Sequence, residues 1–272
     1  MGYDLHVHSI YSDGTMKPAE LVAKACSRQL SGIALTDHDT IAGIREGLSE
    51  AERRKLLFIP GVELTTDWGE AEVHVLGYNF QLDNPRLNRK LDAILEARND
   101  RARQILKKLN LHRIPLSWEK VKAQTTSNFV GRTHIFKALQ DSGQIQPEHR
   151  RDAFQYYLGK NGIAFVPHQE IDTLEAIEII TESGGIPVLA HPGRMGDDGL
   201  IKRLVDAGLK GIEVYYPSHT PDLVEYYLGL CRRFQLIVTG GSDYHGAFSQ
   251  TRLGEAVAPE IPWFRENLTT LR

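Results

Sequence analysis

At 272 residues, with 41% hydrophobic and 25% charged side chains, the chain is long enough for one large α/β domain with room for a smaller insert. No apolar run reaches the roughly 18 residues of a membrane-spanning helix, and two cysteines without CxxC spacing exclude a zinc knuckle or a disulfide framework. The net charge of −3 hides an asymmetry: residues 81–165 hold 16 Lys/Arg and 8 Asp/Glu, a balance of +8, which leaves 16 against 27, a balance of −11, for the rest. An acidic body suits divalent cations; a basic segment suits an anionic substrate, or is simply a solvated helical face.

The first 80 residues alternate strand and helix. Tyr3–His8 predicts a strand, Lys17–Gln29 a helix with Pro18 in its first turn, Gly32–Thr36 a buried strand, Ile41–Arg53 a helix and Leu56–Val62 a third strand. Leu64–Thr66 and Glu72–Gly77 predict a hairpin around Trp68-Gly69-Glu70. From Pro85 to Asn110 the apolar residues Leu87, Leu91, Ile94, Leu95, Ala102, Ile105 and Leu109 recur at helical spacing, and shorter helical patterns follow to about Leu158. Residues 81–165 are therefore expected to form a helical insertion, with 1–80 and 166–272 as the body. Alternation resumes with helices over Leu174–Glu182, Leu200–Ala207 and Pro221–Phe234, and strands over Ile186–Ala190, Gly211–Tyr215 and Leu236–Thr239. That order implies a mostly parallel sheet or barrel.

Metal-ligand residue types recur near the predicted strand ends, where parallel α/β folds gather function. His6 and His8, two apart, share one strand face. Asp13 follows that strand, Asp37-His38-Asp39 the second, Glu63 the third and His191 the strand over Ile186–Ala190. His74 lies in the hairpin, and Asp243 and His245 follow the last strand. Imidazole with carboxylate is the donor set of a hydrolytic metal site. Asp37 and Asp39 are expected to orient His38 more readily than to serve as ligands themselves, and Glu213 reads either as a site residue or as a brace for the ligands. His112, His149 and His168 read as surface or packing residues. Gly240-Gly241 reads as a turn; no Walker or dinucleotide fingerprint occurs.

Seven stretches carry a resemblance: Asp4-Leu5-His6-Val7-His8-Ser9, Ser12-Asp13-Gly14, Thr36-Asp37-His38-Asp39-Thr40, Pro60-Gly61-Val62-Glu63, His74-Val75-Leu76-Gly77, Leu189-Ala190-His191-Pro192-Gly193 and Gly241-Ser242-Asp243-Tyr244-His245. In kind and order they resemble the polymerase-and-histidinol-phosphatase (PHP) family of metallophosphoesterases. The resemblance implies a distorted (β/α)7 TIM-like barrel with two or three divalent metals, manganese first, with zinc or iron compatible. His6, His8, Glu63 and Asp243 would hold one metal. Glu63 would bridge to a second, held also by His74 and His191, and Asp13, His38 and His245 would hold a third. Asp13 stands where some relatives carry histidine. His6, His8, Glu63, His191 and Asp243 would act in catalysis through the bound metals and a hydroxide bridging them.

The helical segment followed by Gly131-Arg132-Thr133-His134 resembles the subgroup that removes the 3′-phosphate of nucleoside 3′,5′-bisphosphates, some members of which also shorten small RNAs from the 5′ end. On that resemblance Arg132 and His134 would bind substrate phosphate; the alternative is a helix-start arginine making a surface ion pair. Ser218 and His219, after another strand, are candidates for further substrate contacts. The expectation is a cytoplasmic phosphatase acting on a small nucleotide and on short RNA, with no membrane and no obligate protein partner. Its rivals are a phosphatase for another phosphomonoester such as histidinol phosphate, a non-catalytic metal-binding module, and an amide or C–N hydrolase on a related metal barrel.

Overall fold

The computed structural model describes residues 2–69, 71–146, 149, 151–167, 171–195, 199–248, 251–261 and 264. Seven strands lie in chain order in one sheet: β1 (Tyr3–Val7), β2 (Gly32–Leu35), β3 (Leu57–Trp68), β4 (Ala71–Tyr78), β5 (Ile186–Leu189), β6 (Gly211–Tyr215) and β7 (Ile237–Gly240). β2 and β5 are short and apolar along their whole length, as strands covered on both faces are, whereas β1, β3, β4 and β6 interleave apolar residues with His6, Glu63, His74 and Glu213. The sheet nearly closes into a barrel, with Val7 bridging to Tyr244 just past β7 and the His8 amide donating to the Tyr244 carbonyl at 3.0 Å. The Tyr78 hydroxyl donates to the Leu5 carbonyl at 2.7 Å; β4 and β1 are not sheet neighbours, so this bond crosses the barrel interior.

One prediction needs correction. Residues 56–66 do not break into a strand and a separate hairpin arm: β3 runs unbroken through 12 residues. Its backbone stays extended beyond the end of β2 because β4 pairs with it from Gly61 to Trp68, and the 37–39 loop continues the pairing on its other edge. The Glu63 amide donates to the Asp37 carbonyl (3.2 Å), and the Thr65 amide to Asp39 Oδ1 (2.9 Å). Glu63 therefore sits inside a strand rather than after one, while His74 lies in the second arm of the hairpin, as expected. β4 also runs antiparallel to both β3 and β5, against the otherwise parallel order.

Helices α1 (Pro18–Ser27) and α2 (Ile44–Arg54) flank the first strands, and α7 (Thr173–Glu182), α8 (Gly199–Asp206) and α9 (Pro221–Phe234) the last. Between β4 and β5 lie α3 (Pro85–Leu111), α4 (Trp118–Lys122), α5 (Arg132–Asp141) and α6 (Ala153–Leu158). Asn84 caps α3, its side chain accepting from the Arg86 and Leu87 amides, with Pro85 in the first turn. The helix spans two apolar clusters: Leu87, Leu91 and Ile94 pack with the barrel, while Ala102, Ile105, Leu106 and Leu109 pack with α4–α6. No helix among the described residues is long and apolar enough to cross a membrane.

Candidate metal centre

β1 and its next residue send His6 and His8 to the same side of the sheet. Five imidazoles converge on Glu63. Its Oε2 lies 3.1 Å from His6 Nε2, 3.2 Å from His8 Nε2 and 3.1 Å from His38 Nδ1; its Oε1 lies 2.7 Å from His74 Nδ1 and 3.1 Å from His191 Nε2. Asp243 Oδ1 is 3.2 Å from His8 Nε2, and Asp13 Oδ1 is 3.2 Å from His245 Nε2. Three overlapping groups share donor atoms within 4.8 Å: His6, His8, Glu63 and Asp243; His8, Asp13, His38 and His245; and His38, Glu63 and His74. His38 thus stands between two groups, a sharing that the family division does not contain.

Whether these residues suit metal ions can be tested on their own hydrogen bonding. His6 Nε2, both nitrogens of His8, Asp13 Oδ1 and Glu63 Oε2 are buried without a hydrogen-bond partner. Buried polar atoms are nearly always paired. Five orphans at one point, all nitrogen or carboxylate oxygen, form a donor set suited to manganese, zinc or iron. The charge distribution agrees. Burial alone would raise the carboxyls of Glu63, Asp13 and Asp243, yet the imidazoles crowded round them hold all three well below the usual range. Burial works against charge on His74, but Glu63 and Glu72 push it up to about 10. Burial dominates at His38 and pushes it down to about 3.

The cluster is braced from behind. Glu213 Oε1 lies 3.0 Å from His6 Nδ1, which leaves His6 Nε2 for a ligand, and its Oε2 accepts the His191 amide at 2.8 Å. Asp37 does not orient His38: it accepts from the Ser9 amide and from the Ser9 and Ser12 hydroxyls at 2.6–2.7 Å, pinning the turn that carries Asp13. Thr65 Oγ1 lies 3.4 Å from His38 Nδ1, the same nitrogen that faces Glu63 Oε2. Asp39, His191 and Asp243 adopt left-handed backbone, with φ of +53°, +28° and +51°. Such residues cost roughly 1–2 kcal/mol each, and here they stand in or beside the cluster.

A cavity of about 880 Å³ opens over these side chains, with Ser218, Tyr216, Thr133 and Arg194 also on its wall. Arg194, which sequence reasoning missed, stacks on Tyr216 (5.2 Å) and lies 3.5 Å from Asp243 Oδ2. Its place three residues after His191 was the available signal. Arg132 lines an adjoining cavity of about 1150 Å³, which shares Gln155 and Arg194 with the first. Its guanidinium grips both oxygens of Glu72 at 3.1 Å, and Glu72 in turn lies 3.3 Å from His74 Nε2. His134 is buried, its Nδ1 accepting the Gly131 amide at 3.1 Å. His219, expected to contact substrate, is held by its neighbours in this structure. Its Nδ1 lies 2.8 Å from the Val214 carbonyl and its Nε2 accepts the Gly193 amide, so both nitrogens are spent on holding the turn after His191. His112 is exposed, His149 stacks on Tyr156, and His168 lies outside the described residues.

A nearly closed α/β barrel with histidines and carboxylates gathered at one mouth defines a hydrolase of the metal-dependent type. The PHP domain family matches residues 4–168, and the chain belongs to that family. It is 36% identical over 249 residues to a 3′,5′-nucleoside bisphosphate phosphatase of Chromobacterium violaceum, covering 89% of this chain and 86% of the relative. It is 35% identical to a 5′-3′ exoribonuclease of Haemophilus influenzae, covering 93% of each. A solved structure from Bifidobacterium adolescentis, assigned as a metal-dependent phosphoesterase, superposes with a TM-score of 0.90 at 32% identity, covering 98% of this chain and 96% of that one.

Proposed function

We propose that this protein hydrolyses the 3′-phosphate of nucleoside 3′,5′-bisphosphates, giving nucleoside 5′-monophosphate and phosphate, and that short 5′-phosphorylated RNA is a related substrate. The observation that carries this reading is the cluster of orphaned donor atoms at the floor of a cavity, with Arg194 on its wall and Arg132 beside it. His6, His8, Glu63 and Asp243 would hold one divalent metal, with His74 and His191 joining Glu63 at a second and Asp13, His38 and His245 at a third. Bound there, such ions neutralise a phosphate dianion and make a water acidic enough to attack near neutral pH.

The protein's own side chains supply orientation. Glu213 fixes the ring of His6, and the Tyr216 hydroxyl donates to Asp243 Oδ2 at 2.9 Å. Arg132 offers a planar fork to the phosphate that is not cleaved. Nη2 of that fork donates to both Glu72 oxygens, so substrate phosphate would compete with a carboxylate for one of its nitrogens. Relatives acting on bisphosphates and on RNA both support two-phosphate recognition, and the basic balance of residues 81–165 suits it.

The test is phosphate release, with manganese present, from adenosine 3′,5′-bisphosphate beside 5′-AMP, 3′-AMP and histidinol phosphate. The expected result is fast release from the bisphosphate, giving 5′-AMP. Arg132→Ala should raise KM for the bisphosphate about 10- to 100-fold, the loss of a charge-assisted pair, and barely change 3′-AMP turnover. Preferential release from histidinol phosphate would overturn the nucleotide assignment.

A further inference from the structure

α3 passes from one apolar cluster to the other near Arg98, whose side chain is only 9% exposed. A guanidinium is costly to bury unless it is paired and hydrogen-bonded. Arg98 Nη2 forms an ion pair with Asp39 Oδ2 and donates to Thr65 Oγ1 at 3.0 Å, while the guanidinium lies over the Phe129 ring, 4.7 Å from its centre.

Each of these partners leads to the site. Asp39 follows His38 in left-handed backbone; its amide donates to the Glu63 carbonyl at 2.9 Å, and its Oδ1 accepts the Thr65 amide. Thr65 Oγ1 lies 3.4 Å from His38 Nδ1, the nitrogen that is 3.1 Å from Glu63 Oε2. Phe129 stands two residues before Gly131, the N-cap of α5, and its ring centre is 6.0 Å from that of His134. The first turn of α5 carries Arg132 and Thr133, and Thr133 donates to Asp13 Oδ2 at 3.3 Å.

We infer that Arg98 is a positioning residue that fixes the His38 corner of the metal centre and the start of α5 from a single point. The inference rests on the metal reading above. Arg98 would thereby hold the first turn of α5 in a fixed place relative to Asp39 and Thr65. A buried pair that served packing alone would tolerate apolar replacement with little change in stability and none in metal binding.

The experiment titrates metal-depleted protein with Mn2+ by calorimetry, comparing wild type with Arg98→Met, Arg98→Lys and Thr65→Val, each checked for folding by circular dichroism. Arg98→Met should weaken one Mn2+ site about 10- to 100-fold, the usual size of losses behind a metal ligand, and leave the tightest site unchanged. Arg98→Lys should recover part of the loss. Thr65→Val keeps the ion pair and should weaken the same site, so it decides the question if Arg98→Met does not fold. Wild-type binding in folded Arg98→Met and Thr65→Val would overturn this inference alone. A wild-type protein that takes up no Mn2+ would overturn the metal reading and this inference with it.

Discussion

The barrel mouth and the helical segment between β4 and β5 answer opposite demands. In the segment, Leu109, Ile135, Leu139 and Tyr157 are almost wholly buried against one another. That cluster is complete without any ligand. At the mouth, charged and polar side chains are just as deeply buried, yet five of their donor atoms have no hydrogen-bond partner and three nearby residues hold left-handed backbone. A folded chain sustains such a region only when the rest of the structure over-determines it. The mouth leaves donor atoms for something that binds there; the helical cluster satisfies its own packing.

The largest effect separating the two should come from Glu63, which touches five imidazoles. Wild-type protein should gain thermal stability on adding Mn2+, by about 4 kcal/mol per site at a thousand times the dissociation constant. Glu63→Gln should lose most of that gain and lose activity beyond the 10- to 100-fold typical of residues behind the ligands. Melting curves with and without Mn2+ read both proteins. An undiminished shift in the variant would mean that the orphaned atoms are not the ligands.

The contrast also explains what could be read from the sequence. The mouth was legible because its chemistry violates packing expectations: His6, Asp13, His38, Glu63, His191 and Asp243 are metal-ligand types beside apolar strand patterns, and no core requires them. α3 was legible because its apolar residues keep helical spacing. The unbroken course of β3 was not, since the 37–39 loop that prolongs its pairing is distant in sequence. Nor was Arg98, whose burial depends on where a 27-residue helix changes from one apolar cluster to another. The Glu72–Arg132 pair joins a hairpin to a helix 60 positions later, and no local pattern announces it. Asp37 was placed correctly near the site but given the wrong partner, because sequence adjacency to His38 says nothing about where a carboxylate points.

A second prediction tests the independence of the two regions. Leu139 is wholly buried in the helical cluster. Leu139→Ala should destabilise the protein by about 2–5 kcal/mol, the range for leucine truncation in a core, and lower Tm by roughly 5–15 °C. Mn2+ affinity should stay at the wild-type value, because the Arg98 contacts that tie α3 to the mouth are untouched. A fall in metal affinity matching the fall in stability would show that the two regions are one cooperative unit.

The smallest expected effect comes from carboxylates that are paired but not enclosed. Glu50, on α2, is gripped by Arg53 and Arg54, both exposed. Hydrogen bonds from these arginines, with their charge adding to them, hold its carboxyl down to about 2. A depressed carboxyl contributes stability that is complete above its ordinary value of 4.5 and is lost as pH falls toward about 2. Exposed pairs are screened by water and salt, so Glu50→Gln should change Tm at neutral pH by no more than about a degree or two. That difference should close between pH 4.5 and 2, and also in high salt. Glu63, Asp13 and Asp243 are likewise held down, but inside the mouth, where on the proposed reading protonation would remove a metal donor as well as an ion pair. Acid titration of Glu50→Gln against wild type, each with and without Mn2+, separates these roles. The Glu50 contribution should be the same in both series, while the Mn2+-dependent part of the acid transition should be unaffected by the substitution.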